Sequence, residues 1–333
     1  MHSPFPLIRW AFIAGGVLGL LGGLAWIAQR GRDSGGDRRQ PAAAAAAVGG
    51  AAGSDSDRLI EQVAGGVCRL APAPIALPAQ VHEASGVAVS RSTPGVVWVH
   101  NDSGEPQLLA VAADGASRGL VRVTGAAVED WEDVASGPCA AGSCLYVADI
   151  GDNQARRQRI TVYRVPEPAP GAATSAAAEA LHATYPDGPQ DAEALFVTQD
   201  GGVFVVTKGE TGPIALYRFP QPLTPGAVAR LERVVELGPA DPRRAGRVTG
   251  AAASPDGRWV ALRGLHSVAF YRAAELLAGR RSEPVRVDLT GAKEAQGEGV
   301  ALAADGTLYL VSEGGRRRDP ATLTRAECTL PPG

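Results

Sequence analysis

The sequence predicts an all-β fold, a five-bladed β-propeller of four-stranded blades, preceded by one N-terminal transmembrane helix and a linker. Three observations predict it. From Cys68 onward short apolar runs alternate with Gly, Pro and Asp turns, and no helical period outlasts two turns; a Tyr-Arg pair recurs at a fixed interval; and one strand-opening motif occurs five times. The expected division is a membrane anchor over 1–30, an Ala/Gly-rich linker over 31–66 and the propeller over 67–333.

The anchor comes first. Trp10 to Gln29 is a run of twenty uncharged residues with Trp10 and Trp26 near its ends, long enough to span a bilayer and bearing interfacial aromatics. A cleaved signal peptide has a shorter apolar run and a small-residue cleavage site, and no Cys follows to accept a lipid, so the segment reads as uncleaved. The Ala42–Gly53 stretch is too uniform to build a core and reads as a spacer. Between Asp57 and Ala64, Leu59, Ile60 and Val63 suggest a short amphipathic turn of helix.

The pair Tyr-Arg closes an apolar strand at Tyr163, Tyr217 and Tyr271, spaced 54 residues apart. A second landmark opens a strand ahead of each: HEASGVAV from His82, EDWEDVA from Glu129, QDAEALFV from Gln190, RVTGAAA from Arg247 and QGEGVAL from Gln296. Each copy is followed by a turn and a second strand, and three turns contain Asp-Gly (Asp200, Asp256, Asp305), a strong hairpin signal. Strand, hairpin, strand, Tyr-Arg strand and one further segment make a four-stranded unit, and five such units make a closed ring. The last copy has only three strands before the chain ends, so Val67–Leu77 is expected to supply the fourth. That closure brings Cys68 to Cys328, while Cys139 and Cys144 flank a hairpin turn, giving two expected disulfides.

The basic residues Arg30, Arg32, Arg38 and Arg39 outnumber Arg9 across the anchor, which by charge alone would leave the domain in the cytoplasm. Two disulfides need an oxidising compartment. The cysteines outweigh the charges, and the expectation is an inner-membrane protein with its propeller in the periplasm. A formal charge of −3 and few, scattered aromatics exclude a phosphate-neutralising or base-stacking surface, so no nucleic-acid partner is expected. The expected state is a monomer.

In a propeller the first strand of each blade lines the central channel, and these strands open on acids. Residues i and i+2 share a strand face, which pairs Asp130 with Glu132 and Asp191 with Glu193, with Glu83 and Glu298 assigned to corresponding places in two other blades. The fourth blade offers Val248 and Gly250 instead. These six acids are the candidate metal ligands. Second-strand ends add Asn101, Asp102, Asp149, Asp152, Asn153 and Glu313 as candidate ligand-binding residues, with Lys208 and Arg263 as counter-charges. Calcium suits such a set because it takes six to eight oxygens in forgiving geometry, whereas no His or Cys pair stands at zinc spacing. Turn-capping is the competing role for Asp and Asn in such loops. His82 and His100 are weak candidates for a general base, and neither Ser85 nor Ser103 sits in a nucleophile elbow.

The phrases HNDSG (from His100), DWEDVA (from Asp130), ADIGDN (from Ala148), YPDGPQDAEAL (from Tyr185) and GEGVAL (from Gly297) resemble those of uncharacterised bacterial exported or membrane-anchored β-propeller proteins, over roughly residues 80 to 315. The resemblance implies a propeller and no established activity. More distantly, the acidic funnel is similar to those of calcium-dependent propeller lactonases, phytase-like esterases and apyrases, whose catalytic motifs do not match here residue by residue. Two functions are therefore expected to compete: a tethered module binding a divalent cation and a small ligand or partner loop, and a metal-dependent hydrolase of a phosphoester or lactone, in which the ion activates water.

Overall fold

The first strands of five successive antiparallel sheets touch one another in turn, the fifth returning to the first, so the sheets stand around an axis as blades. This computed structural model describes residues 59–60, 67–241, 246–315 and 319–331. The expected anchor, the spacer and the basic run Arg316–Arg318 lie outside them. Among the described residues no helix is long and apolar enough to cross a membrane.

Blade one is Ala84–Val89, Val96–Asn101, Gln107–Ala112 and Ser117–Arg122. Blade two is Trp131–Cys139, Gly142–Asp149, Ile160–Pro166 and Glu179–Thr184, extended by a parallel strand, Val228–Arg230, which the repeat pattern does not foretell. Blade three is Ala192–Val197, Val203–Thr207, Ile214–Arg218 and Glu232–Gly238. Blade four is Gly250–Ala253, Trp259–Gly264, Ser267–Arg272 and Val285–Asp288. Blade five takes Gln296–Leu302, Thr307–Glu313 and Thr322–Thr329 from the chain's end and Val67–Leu70 from before blade one. The expected closing strand is thus in place. Leu59–Ile60, expected in a helical turn, instead forms a short strand on the outer edge of Val67–Leu70, where an unpaired row of backbone donors and acceptors favours an extended partner over a helix.

Alternation along each strand feeds two cores at once, because successive side chains leave on opposite faces. Trp98 packs with Trp131 and Leu145 between blades one and two, while its neighbours Val97 and Val99 pack with Val311 and Leu323 between blades five and one. The other three interblade cores follow the same rule around Phe219 and Tyr217, Phe196 and Leu262, and Phe270 and Leu310. Cys68 and Cys328 face each other directly in register and are bonded, as are Cys139 and Cys144 across their hairpin.

Candidate functional site

Register fixes how the five opening motifs line up at the axis, and it corrects the alignment expected from sequence. Four of the inner strands carry a one-residue bulge, between Ala84 and Val87, Trp131 and Asp133, Ala192 and Ala194, and Gly297 and Val300. A bulge re-aims the side chain that it carries. The bulged positions are those of Ser85, Glu132, Glu193 and Glu298, and Thr249 occupies the place in blade four. Glu83 therefore belongs one tier higher, with Asp130, Asp191, Arg247 and Gln296. Blade four contributes Thr249 and Arg247 rather than Val248 and Gly250.

Beneath the lower tier the axis is sealed. Gly86, Asp133, Ala194, Gly250 and Gly299 form a buried layer in which the glycines let backbones approach: a Cβ on Gly86 would stand 2.6 Å from Val134 N, one on Gly250 2.8 Å from Glu298 O, and one on Gly299 2.6 Å from Ser85 O. Asp133 holds the layer together. Its Oδ1 accepts from Val134 N (2.8 Å) and its Oδ2 from Leu195 N (2.9 Å) and Ala251 N (3.1 Å), joining the inner strands of blades two, three and four. Ser85 Oγ donates to Glu132 O (2.6 Å) and Thr249 Oγ1 to Glu298 O (3.0 Å), which adds blades one and five. Above this floor the inner-strand acids converge, at the end of the axis where the sequence leads one to expect a funnel. Below it, on the opposite face, lies a separate cavity of about 340 Å³ walled by Val87, Val134, Val197, Ala251 and Val300.

The lower tier is buried and acidic. Burial, with repulsion from Glu193 and Asp130 behind it, pushes Glu132 well above the usual carboxylate range. Burial likewise carries Glu298 up to about 8, Glu193 and Glu313 adding to it and the Gln296 amide opposing. Glu193 rises to about 7 because desolvation outweighs the ammonium of Lys208 beside it. At the rim, burial and the adjacent Glu83 raise Asp102 to about 7, while the Ser103 hydroxyl, donating to Glu83 Oε2 (2.7 Å), holds Glu83 low. Gln296 Nε2 links Glu298 (2.7 Å) to Glu313 (3.0 Å). The carboxyl of Glu132, a residue only 8% exposed, has no hydrogen-bond partner among the described residues.

Glu132, Glu193, Glu298, Glu313 and Asp102 hold protons more tightly folded than unfolded. Between the ordinary carboxylate range and about pH 8 the folded state binds more protons, so its stability falls as pH rises. In chelator, the melting temperature is expected to drop by roughly 5 °C between pH 5.5 and 8.5, and Glu132→Gln with Glu298→Gln should flatten that slope. A melting temperature that climbs over this range would mean ionised, fully paired acids.

The candidate ligand-binding residues divide. Asn101 Oδ1 accepts from the backbone of His82 (3.0 Å) and Glu83 (3.1 Å), and Asp149 does the same for Glu129 (3.1 Å) and Asp130 (3.2 Å), so each clasps the start of its blade's first strand. Asp149 also pairs with Arg157 (2.8 Å), and Asp152 accepts from Arg157 N (2.6 Å). These three serve the turns, the capping role. Asp102, Glu313 and Asn153 face the funnel, Asn153 through Lys208 Nζ (3.0 Å). His82 stays at the rim, its Nδ1 3.1 Å from Asn101 Oδ1. His100 lies under the funnel, 1% exposed, edge-on to Trp131 and lowered by burial to about 4, which removes it from the surface where a base would work.

The counter-charges also separate. Lys208 reaches the funnel and contacts Asp191 (3.6 Å), Glu193 and Glu210 (4.0 Å). Arg263 is instead sunk in the wall between blades four and five, bound to Gly299 O (2.5 Å), Val311 O (2.9 Å) and Glu294 (2.5 Å). Sequence reasoning missed Arg247, which pairs with Glu210 (3.5 Å), along with Arg157, Gln296 and Asp133. Only Asp133 carried a visible signal, being the third acid of DWEDVA. Among the described residues no three His, Cys, Asp or Glu side chains stand close enough together to hold a metal ion.

No family model matches this chain, and no curated protein does. Among solved structures, the PQQ-bound aldose sugar dehydrogenase from Streptomyces coelicolor is similar at 13% identity, with a TM-score of 0.50 over 81% of this chain and 100% of that one. A gluconolactonase from Xanthomonas campestris (13% identity, TM-score 0.43, 83% and 95% covered) and regucalcin, a calcium-binding protein from Agrobacterium tumefaciens (13%, 0.40, 76% and 92%), are weaker matches. At such identities the likeness is one of fold alone; the β-propeller architecture of the chain stands on its own ring of five blades.

Proposed function

We propose that this chain is a membrane-tethered binding propeller facing the periplasm, whose funnel takes up a divalent cation, calcium, together with a small ligand or a partner loop. The observation that carries the reading is Glu132: a buried carboxyl without a hydrogen-bond partner, set against Glu193 and Glu298 from two other blades. Desolvated carboxyls set against one another repel and take up protons unless a cation stands among them, and of these three Lys208 reaches only Glu193. Calcium tolerates the irregular oxygen cage that such a cup offers, and small side-chain shifts would bring the oxygens to it. That all four cysteines are bonded supports an oxidising compartment.

The test uses the full chain in detergent. Calcium that binds only the folded state raises stability by about 2.7 kcal/mol at a hundredfold excess over Kd. A melting shift reversed by chelator and absent in Glu132→Gln with Glu193→Gln is expected, with magnesium doing less because it demands near-octahedral geometry. No shift with calcium would end this reading. Protease protection in intact and permeabilised cells tests the orientation: a propeller digested only after the inner membrane is opened would place it in the cytoplasm.

A further inference from the structure

The funnel already contains one cation of its own. Lys208 follows the second strand of blade three, and its backbone is pinned at both ends, N donating to Asp191 O (2.9 Å) and O accepting from Val248 N (2.9 Å). The Cα is therefore fixed between the inner strands of blades three and four, and the side chain, 7% exposed, has one direction to run. Its ammonium has three donors. Two of them bond Glu193 and Asn153 Oδ1 (3.0 Å), with Asp191 Oδ2 (3.6 Å) and Glu210 (4.0 Å) at ion-pair distance. That is a lysine coordinated by oxygens much as a monovalent ion would be.

The other half of the cup has no such partner. Glu132, Glu298 and Glu313, the last two joined through Gln296, make no ion pair with any described lysine or arginine, and the Glu132 carboxyl makes no hydrogen bond. We infer that Lys208 is a tethered competitor for the exchangeable cation: it holds Asp191 and Glu193 on the blade-three side, restricts the incoming ion to the Glu132, Glu298 and Glu313 half, and so sets how tightly that ion binds. The arrangement also explains why no three carboxylates gather at metal spacing, since two of the best-placed acids are turned to the ammonium. This inference rests on the funnel being a cation site, as proposed above.

The consequence runs against ordinary loss-of-function logic. Lys208→Met keeps the aliphatic stem and removes the charge, which returns two carboxylates to the cup and lifts the repulsion between ammonium and ion. Calcium affinity, read by titration calorimetry on the full chain in detergent, is expected to rise at least tenfold over the unsubstituted protein. Lys208→Gln, which can still bond Asn153 and Glu193, should also tighten binding and serves if the methionine variant does not fold. A merely structural lysine would give weaker binding on removal. Equal or weaker affinity in the folded variant overturns the inference and leaves the proposed function standing. Binding by the variants alone supports the inference and overturns calcium binding by the natural protein, and no binding in any of them overturns both.

Discussion

Asp133→Ala is expected to lower the stability of the domain by roughly 3–6 kcal/mol, the largest effect of any single substitution in the floor. Three backbone donors, from Val134, Leu195 and Ala251, end on its two oxygens in a layer that solvent does not reach. Each buried donor left without an acceptor costs about 1–3 kcal/mol, and a domain's whole margin is about 5–15 kcal/mol. The loss falls where three blades meet, so partial relaxation by one strand would disturb the other two. Burial raises the carboxyl well above its usual range while the three donors pull the other way. Asp133→Asn separates size from hydrogen-bonding capacity: its amide oxygen can still accept from Leu195 and Ala251 while its NH2 faces the Val134 donor, so roughly a third to a half of the loss should persist. Urea unfolding of the three proteins measures this. An alanine variant within 1 kcal/mol of the parent would show that the glycine contacts alone hold the axis.

The second large effect concerns closure of the ring. Cys68 and Cys328 lie 260 residues apart, and Cys139 and Cys144 only 5. A cross-link stabilises chiefly by restricting the unfolded chain, and the chain-entropy estimate gives about 5–6 kcal/mol for the long loop against about 2 kcal/mol for the short one. Removing both long-loop cysteines as Ser should therefore cost more than twice as much as removing the hairpin pair. It should also expose Val67–Leu70 to early hydrogen exchange, since only strand pairing would then hold the two chain ends together. Equal losses in the two double variants would mean that the ring does not depend on this bond for closure.

Much of the fold was legible because its signals are local. Two-residue alternation and Asp-Gly turns specify a hairpin within a dozen residues, and the five strand-opening motifs count the blades without any knowledge of their packing. The closing strand and the Cys68–Cys328 pair followed from that count, and the Cys139–Cys144 pair from the hairpin turn that the two flank. What happens across the axis was not legible. The bulges that lift Glu132, Glu193 and Glu298 into one tier depend on the pairing of inner with second strands, so Glu83 and Glu298 looked equivalent when they are not. Burial is equally silent: Glu132 and Asp133 are adjacent acids in DWEDVA, yet one faces the funnel and the other seals it. Lys208 showed as a counter-charge because it ends a second strand, whereas Arg263, in a similar place, was drawn into the wall by the carbonyls of Gly299 and Val311.

The floor of Asp133 and glycines also decides the traffic. Many ring-shaped proteins can be threaded, but here a buried layer of backbone and Asp133 lies across the axis, between the acidic tier and the cavity behind it. A ligand taken up on the acidic side, as proposed, would have to leave by that same side. Were an ion and a larger ligand both to bind there, the ion, held by the lower tier, would be the first to arrive and the last to leave. The larger ligand then acts as a stopper, and the ion's dwell time should lengthen with the concentration of whatever sits above it.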